Sequence, residues 1–327
     1  MHVIKATNVR DALVQAIGYL HQSGVYEETR IGRALVAQEP VAIHYNNPKQ
    51  HVLLNPVRDA NPFFHLMEAM WMLAGRQDAA FLDYYIKDFS KLYGKNGIVM
   101  DAYGQRWLYG AGYDQLTEIV NQLRKEPNTR QCVLQMWGAG RDDLRAVSSK
   151  PCNLVATFRI QSGALNMIVF NRSNDLLWGC CGANAVHFPI LQEYLAAKIG
   201  IELGEYWQVT TNLHMYADIY AKMHALEDTK PEPYGDTMPL MMYPRTFDTE
   251  LAEVLNNIDG MHQDNLNVLV SGIRNPFLSQ VVFRMAMAHG LYKNGLMVDA
   301  IDIVDAVAAD DWKQAGKEWL ERRNARR

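Results

Sequence analysis

The chain has 327 residues, 49% hydrophobic and 21% charged, with a formal net charge of −4. That is the balance of a globular protein with a sizeable core. It excludes an overall basic field that would draw in nucleic acid, although local arginines can still hold a small anion. No stretch of about 18 apolar residues runs uninterrupted, which argues against a transmembrane helix and a membrane partner.

The first 20 residues carry a charge in their apolar run and lack a small-residue cleavage site, so no secretory signal is expected. The four cysteines, Cys132, Cys152, Cys180 and Cys181, show no Cys-x-x-Cys spacing. Reduced thiols in a cytoplasmic setting are expected, with no disulfide and no metal site.

In chain order, residues 9–20 have helical periodicity. VAIHYNNPKQHVLLNP (41–56) reads as two short strands around an Asn-Asn-Pro turn. PFFHLMEAMWMLAG (62–75) reads as a helix, with Pro in its first turn and Gly just past its end. Glu68 lies inside this run. A carboxylate on a wet face is the ordinary reading, but Met67, Met70 and Trp71 crowd it, which points to partial burial and a task.

YDQLTEIVNQLRKEPNTR reads as an amphipathic helix ending near Pro127. Three β-rich runs follow, QCVLQMW, LVATFRI and ALNMIVFNRS, then the helix AVHFPILQEYLAAKIG and the strand-like YWQVTTNLHMY. From about Thr249 the texture becomes helix after helix. The expectation is an α+β catalytic core over residues 1–245 and a helical C-terminal extension over 246–327, packed on the core. Asp310-Asp311 reads as an N-cap, and Arg322, Arg323, Arg326 and Arg327 as a solvated helix end rather than a phosphate site.

Taken alone, Cys152 reads first as buried packing. Two features tilt it towards chemistry. It stands between Pro151 and a strand, where a thiol can point into a cleft, and the next strand ends in Asn171-Arg172-Ser173-Asn174-Asp175. An arginine near a thiol favours the reactive thiolate, and an Arg-Ser pair suits a phosphate.

Pro151-Cys152, Arg172-Ser173-Asn174-Asp175, Asn184 and His214-Met215-Tyr216 together resemble the thymidylate synthase family. Arg30-Ile31-Gly32 is similar to its N-terminal phosphate-binding loop, MEAMWML to its Glu-x-x-Trp helix, and DAYGQRW to its Tyr-Gly-x-x-Trp segment. YDQLTEIVNQLRKEPNTRQ is similar to its second arginine loop, and the likeness runs from about residue 29 to 220 in consistent order.

The resemblance implies the family fold, with a large mixed sheet at a homodimer interface and flanking helices. It implies a pyrimidine nucleoside 5′-monophosphate as substrate and 5,10-methylenetetrahydrofolate as co-substrate, with no metal and no nucleic acid. Cys152 would attack C6 of the pyrimidine and so activate C5. Glu68 would organise proton transfers, and Tyr103 would help place the acceptor for the C5 proton. Arg30, Arg172 and Ser173 would hold the phosphate, with Arg130 reaching it from the partner subunit. Asp175 would line the base and folate pocket, His214 and Tyr216 would bond the sugar 3′-hydroxyl, and Asn184 would read the base edge. Trp71, Trp107 and Trp178 read as core or pocket wall, and a wall tryptophan such as Trp71 would stack on the folate's pterin.

Departures from the family pattern carry information too. Asn153 stands where His is usual, Gln131 where a second phosphate arginine is usual, and Asn171 where Gln is usual. WGCCGAN has one residue more than the family segment, placed around residues 180–183, and Phe89 and Leu92 stand where pocket tryptophans are usual. The chain continues into helices where synthases end in a short apolar tail that closes the site. A site less well sealed lets water, rather than a hydride, capture the exocyclic methylene on C5. The expected product is therefore the 5-hydroxymethyl nucleotide, with reductive methylation and an inactive nucleotide- or RNA-binding homologue as alternatives. Asn184 favours uracil, but an amide that turns over would accept cytosine. His187, Cys180 and Cys181 read as interior residues, and MPLMMYP as adaptable packing.

Overall fold

The computed structural model describes residues 1–326 apart from 143, 146–149, 224–225, 227–233, 236, 238–242 and 264–271. Ser148, Ser149, Arg327 and most of MPLMMYP therefore lie outside the described residues.

The chain opens with β1 (His2–Ala6), α1 (Val9–Ser23), β2 (Gly24–Glu28), β3 (Arg33–Ala37) and β4 (Val41–Tyr45). Next come α2 (Pro62–Leu73), α3 (Ala79–Asp83), α4 (Phe89–Tyr93), β5 (Gly94–Lys95), β6 (Ile98–Val99) and α5 (Tyr103–Tyr109). Then follow α6 (Gln115–Lys125), β7 (Val133–Gln135), β8 (Asn153–Gln161), β9 (Ala164–Asn171) and β10 (Asn174–Asp175). A π-helical segment (Leu176–Ala183) leads into α7 (Asn184–Ile199), then β11 (Glu202–Thr210), β12 (Leu213–Tyr216) and α8 (Ala217–Met223). The chain closes with α9 (Phe247–His262), a short π-helical turn (Leu278–Val282), α10 (Phe283–Lys293), α11 (Met297–Asp305) and α12 (Asp310–Asn324). Among the described residues no helix is long and apolar enough to cross a membrane.

Contacts divide the chain into two compact units, Met1–Arg58 with Trp107–Pro233, and Asp59–Arg106 with Tyr234–Arg327. The expected boundary at residue 245 lies nearest the last of the three crossings between them, at Pro233/Tyr234. The grouping of 59–106 with the helical tail has no counterpart in the sequence texture.

The first unit is built on a six-stranded mixed sheet, ordered β1-β4-β11-β9-β8-β7. The β8–β9 hairpin turns through Ser162 (φ 51°) and Gly163 (φ 79°), the doubly left-handed turn that matches strand twist. Helices α1 and α7 pack on this sheet. Helix α1 buries Val9, Ala12, Leu13, Ala16, Ile17 and Leu20, a stripe at three- and four-residue spacing. Helix α7 ends at Gly200 in the left-handed conformation (φ 90°) that glycine adopts without strain. A second sheet, β10-β12-β3-β2, carries the site.

Two strand expectations change. Only 41–45 of the 41–56 segment joins a sheet, because β4 is already flanked by β1 and β11, leaving no free edge for a second strand. YWQVTTNLHMY divides at Thr211-Asn212 and switches from one sheet to the other.

In the second unit, Asn61 caps α2 by accepting from Phe64 N (3.1 Å), and all twelve residues of α2 are buried. Trp319 of α12 meets Phe63 edge-on (5.3 Å between ring centres), and His289 of α10 lies at the same distance from Phe63. Arg76 bridges Asp78 and Asp259. At Gly104 a Cβ would sit 1.8 Å from the carbonyl oxygen of Met72, so the start of α5 closes on α2 only with glycine there.

Two tail expectations are corrected. Asp310 and Asp311 lie inside α12, whose N-cap is Ala309. Arg322 and Arg323 are no solvated end: both are half-buried on Asp59, with Arg322 Nε at 3.0 Å, and the exposed Arg326 reaches the same carboxylate.

Candidate active site

Within the first unit, β2 and β3 form a hairpin whose turn presents Arg30. The Thr29 hydroxyl knots this turn, accepting from Ile31 N and Gly32 N at 3.2 Å and donating to Gly32 O at 2.6 Å. A cleft of about 370 Å³ opens beside it, lined by Arg30, Arg172, Ser173, His214 and Tyr216 among others. Five residues expected to hold a sugar phosphate, scattered over 187 positions, thus line one cavity.

Arg172 ties the cleft to the cysteine. Its backbone N–H donates to the Cys152 carbonyl (2.9 Å), and its guanidinium donates to the carbonyls of Pro151 (3.0 Å) and Lys150 (2.7 Å). Cys152 is half-buried and, among the described residues, forms no disulfide. Burial raises the Tyr216 hydroxyl above its ordinary pKa, with Asp175 and Cys152 adding, while the Thr29 hydroxyl and Arg30 oppose. These are the neighbours expected of a residue on the cleft wall.

Parallel pairing of β10 with β12 sets Asp175 beside His214. The Asp175 carboxylate caps the π-helical segment, accepting from Leu177 N (2.9 Å) and Trp178 N (2.6 Å). Its pKa is nonetheless raised: burial outweighs those two bonds and the charges of His214 and Arg58. Asn212 Oδ1 lies 2.8 Å from His214 Nδ1, which fixes the ring.

Asn184 is buried at the start of α7, its Oδ1 accepting from Asn153 Nδ2 at 3.1 Å. His187, Cys180 and Cys181 are interior. Arg130 is exposed in the loop before β7 and is not among the residues lining the cleft.

Glu68, Trp71 and Tyr103 belong to the second unit. Glu68 is only 9% exposed, against the ordinary reading of a helix carboxylate. Tyr103 is half-buried at the start of α5. Trp71 corrects an expectation: it is 1% exposed and its indole N–H donates to Asp78 O (3.1 Å), so no face is left for a pterin. Trp178 offers one instead, 56% exposed, with the Arg58 guanidinium 4.9 Å from its ring centre. The sequence treated Trp178 as one wall residue among three, because exposure depends on the π-helical segment that carries it.

The sequence pattern of the Thymidylate synthase family matches residues 12–268. A deoxyuridylate hydroxymethyltransferase of Pseudomonas phage M6 is 40% identical, over 99% of this chain and 95% of its own. One of Bacillus phage SP01 is 35% identical, over 58% of this chain and 52% of its own. A thymidylate synthase of Symbiobacterium thermophilum is 28% identical, over 52% of this chain and 65% of its own. With the family pattern matched over most of its length, the chain belongs to the thymidylate synthase family.

Proposed function

We propose that the protein is a folate-dependent uridylate C5-hydroxymethyltransferase. The observation that carries this is the tie between Arg172 and Cys152: the residue that would anchor a phosphate also holds the cysteine's segment, its backbone N–H on the Cys152 carbonyl and its guanidinium on those of Pro151 and Lys150. A nucleotide held by Arg30, Arg172 and Ser173, with its sugar on His214 and Tyr216, would present its base to the Cys152 thiolate and to Asn184. Addition of sulfur at C6 makes C5 nucleophilic, and C5 takes the one-carbon unit that methylenetetrahydrofolate supplies when bound. Loss of the C5 proton and expulsion of the folate amine leave an exocyclic methylene on the base. Water adds to that methylene as the thiolate leaves, giving the 5-hydroxymethyl nucleotide and tetrahydrofolate. Glu68 would organise proton transfers on the position-4 side, and Tyr103 would help place the acceptor for the C5 proton.

The residues present suit a flat co-substrate with an anionic tail: Trp178 offers an open ring face next to the half-buried Asp175, and Arg58 supplies a cation. The departures at Asn153, Phe89 and Leu92, together with the names of the phage relatives, support water capture over reduction. We assign the enzyme to the cytosol, a reducing compartment that suits a nucleophilic thiol.

A homodimer belongs to the same reading. Val155, Ile168, Phe170, Trp207 and Val209 form an adjoining, half-exposed apolar ladder across β8, β9 and β11. Such a face suits closure by the same face of a second copy. It would let Arg130, apart from its own cleft, serve the partner's.

The test uses purified protein, methylenetetrahydrofolate and dUMP tritiated at C5. Tritium release without a rise in dihydrofolate absorbance is expected, and Cys152→Ser should lower release on the order of 10³-fold or more while keeping nucleotide binding. A dihydrofolate rise in step with tritium release would make the enzyme a synthase instead.

A further inference from the structure

Asn184 is one member of a run of buried side-chain amides. Asn153 Nδ2 donates to Asn184 Oδ1 (3.1 Å), and Asn184 Nδ2 donates to Asn174 Oδ1 (3.1 Å). Asn174 Nδ2 in turn donates to Gln208 Oε1 (3.0 Å). Gln208 Nε2 donates to the main-chain carbonyl of Cys180 (2.8 Å) and to the Tyr45 hydroxyl oxygen (3.2 Å). All four amides are buried.

An isolated amide can turn over and exchange its donor for its acceptor. This run has no such freedom. A peptide carbonyl only accepts, so Gln208 must meet Cys180 with its NH₂, which leaves its oxygen for Asn174. Asn174 then has its oxygen turned to Asn184, and Asn184 its oxygen turned to Asn153. Turning Asn184 alone would oppose donor to donor and acceptor to acceptor, in a place where water cannot repair the loss. Two contacts brace the run. The Tyr206 hydroxyl donates to the Asn184 carbonyl (3.1 Å), and a Cβ at Gly179 would come within 2.6 Å of Asn174 Oδ1, so glycine there leaves the room Asn174 needs.

We propose that this relay selects uracil over cytosine, with Asn153, Asn174 and Gln208 as positioning residues that act through Asn184. The inference rests on the uridylate reading above. Uracil offers a donor at N3 and an acceptor at position 4; cytosine offers the reverse. A locked amide serves one pair only, here accepting from N3–H and donating to O4. Asn153, which stands where synthases carry His, is thereby the donor end of the lock.

The experiment compares kcat/KM for dUMP and dCMP by tritium release from C5, in wild type and in two aspartate variants that act oppositely. Wild type should prefer dUMP on the order of 10³-fold or more. Asn153→Asp puts an acceptor where the donor stood, so the preference should fall at least about 30-fold at neutral pH. It should recover as the pH is lowered and the buried acid regains a proton to donate. Asn174→Asp gives up its donor to Gln208 but keeps the acceptor that turns the NH₂ of Asn184 towards it, so its preference should stay within about threefold of wild type. If Asn153→Asp does not fold, Asn153→Leu, which only removes the donor, should lose about tenfold with no pH dependence.

Undiminished preference in the Asn153 variants overturns the proposal, as does an equal loss in Asn174→Asp. A wild type that releases tritium from neither nucleotide overturns the uridylate reading itself, and the relay's role with it.

Discussion

Asp175 combines a capping bond with an unfavourable charge. Its oxygen accepts from two backbone N–H groups, yet burial holds its pKa above the ordinary carboxylate value. A folded state that binds the proton more tightly than the unfolded one gains stability as pH falls through the raised value towards about 3.9. At neutral pH the ionised carboxylate therefore costs stability. Asn keeps the accepting oxygen without the charge, so Asp175→Asn should melt about 2 °C higher at pH 7 in a calorimeter. The gap should close towards pH 4. A variant that melts lower at pH 7 would show the charge to be stabilising. Most of the candidate site was legible at this scale, because Cys152, Arg172, Ser173 and Asp175 lie close in sequence, at the start of β8 and around the β9–β10 junction. The amide relay was not, since Gln208 lies 34 residues from Asn174 and nothing local announces its bond.

Elements were readable where their signals are local. Asn61 and Asp114 cap the helices that follow them, and Gly200 ends α7. They were misread where a distant partner decides. A second strand in 41–56 fails for want of an edge, and the helix-end arginines meet an aspartate 263 residues away from Arg322. That contact has a pH signature. Burial raises the Asp59 pKa, but hydrogen bonds from Arg323 and Arg322 more than offset it, leaving the carboxyl below its ordinary value. Its stabilisation is complete above about pH 3.9 and is lost as pH falls through the folded value. Asp59→Asn should lower the melting temperature by about 3 °C at pH 7, a difference that shrinks on acidification below about pH 4. An unchanged melting point would mark the arginine cluster as ornamental.

For the whole molecule, the apolar ladder on the large sheet and the position of Arg130 make one prediction. Cys152→Ala and Arg130→Ala should each be inactive alone. Mixed under conditions that exchange subunits, they should recover about a quarter of wild-type tritium release, since half the dimers are mixed and each holds one intact site. No recovery would mean that each chain builds its site alone.

The second unit is assembled from two distant stretches of chain, and this has a consequence in time. Phe63 leaves the ribosome about 250 residues before Trp319, which covers it, an interval of roughly 10–50 s at ordinary rates of synthesis. For that interval the nascent helix bearing Glu68, apolar nearly all round, lacks the cover that α12 gives it. Translation that stops before α12 would yield a chain that carries every candidate site residue and that holdase chaperones should nonetheless retain.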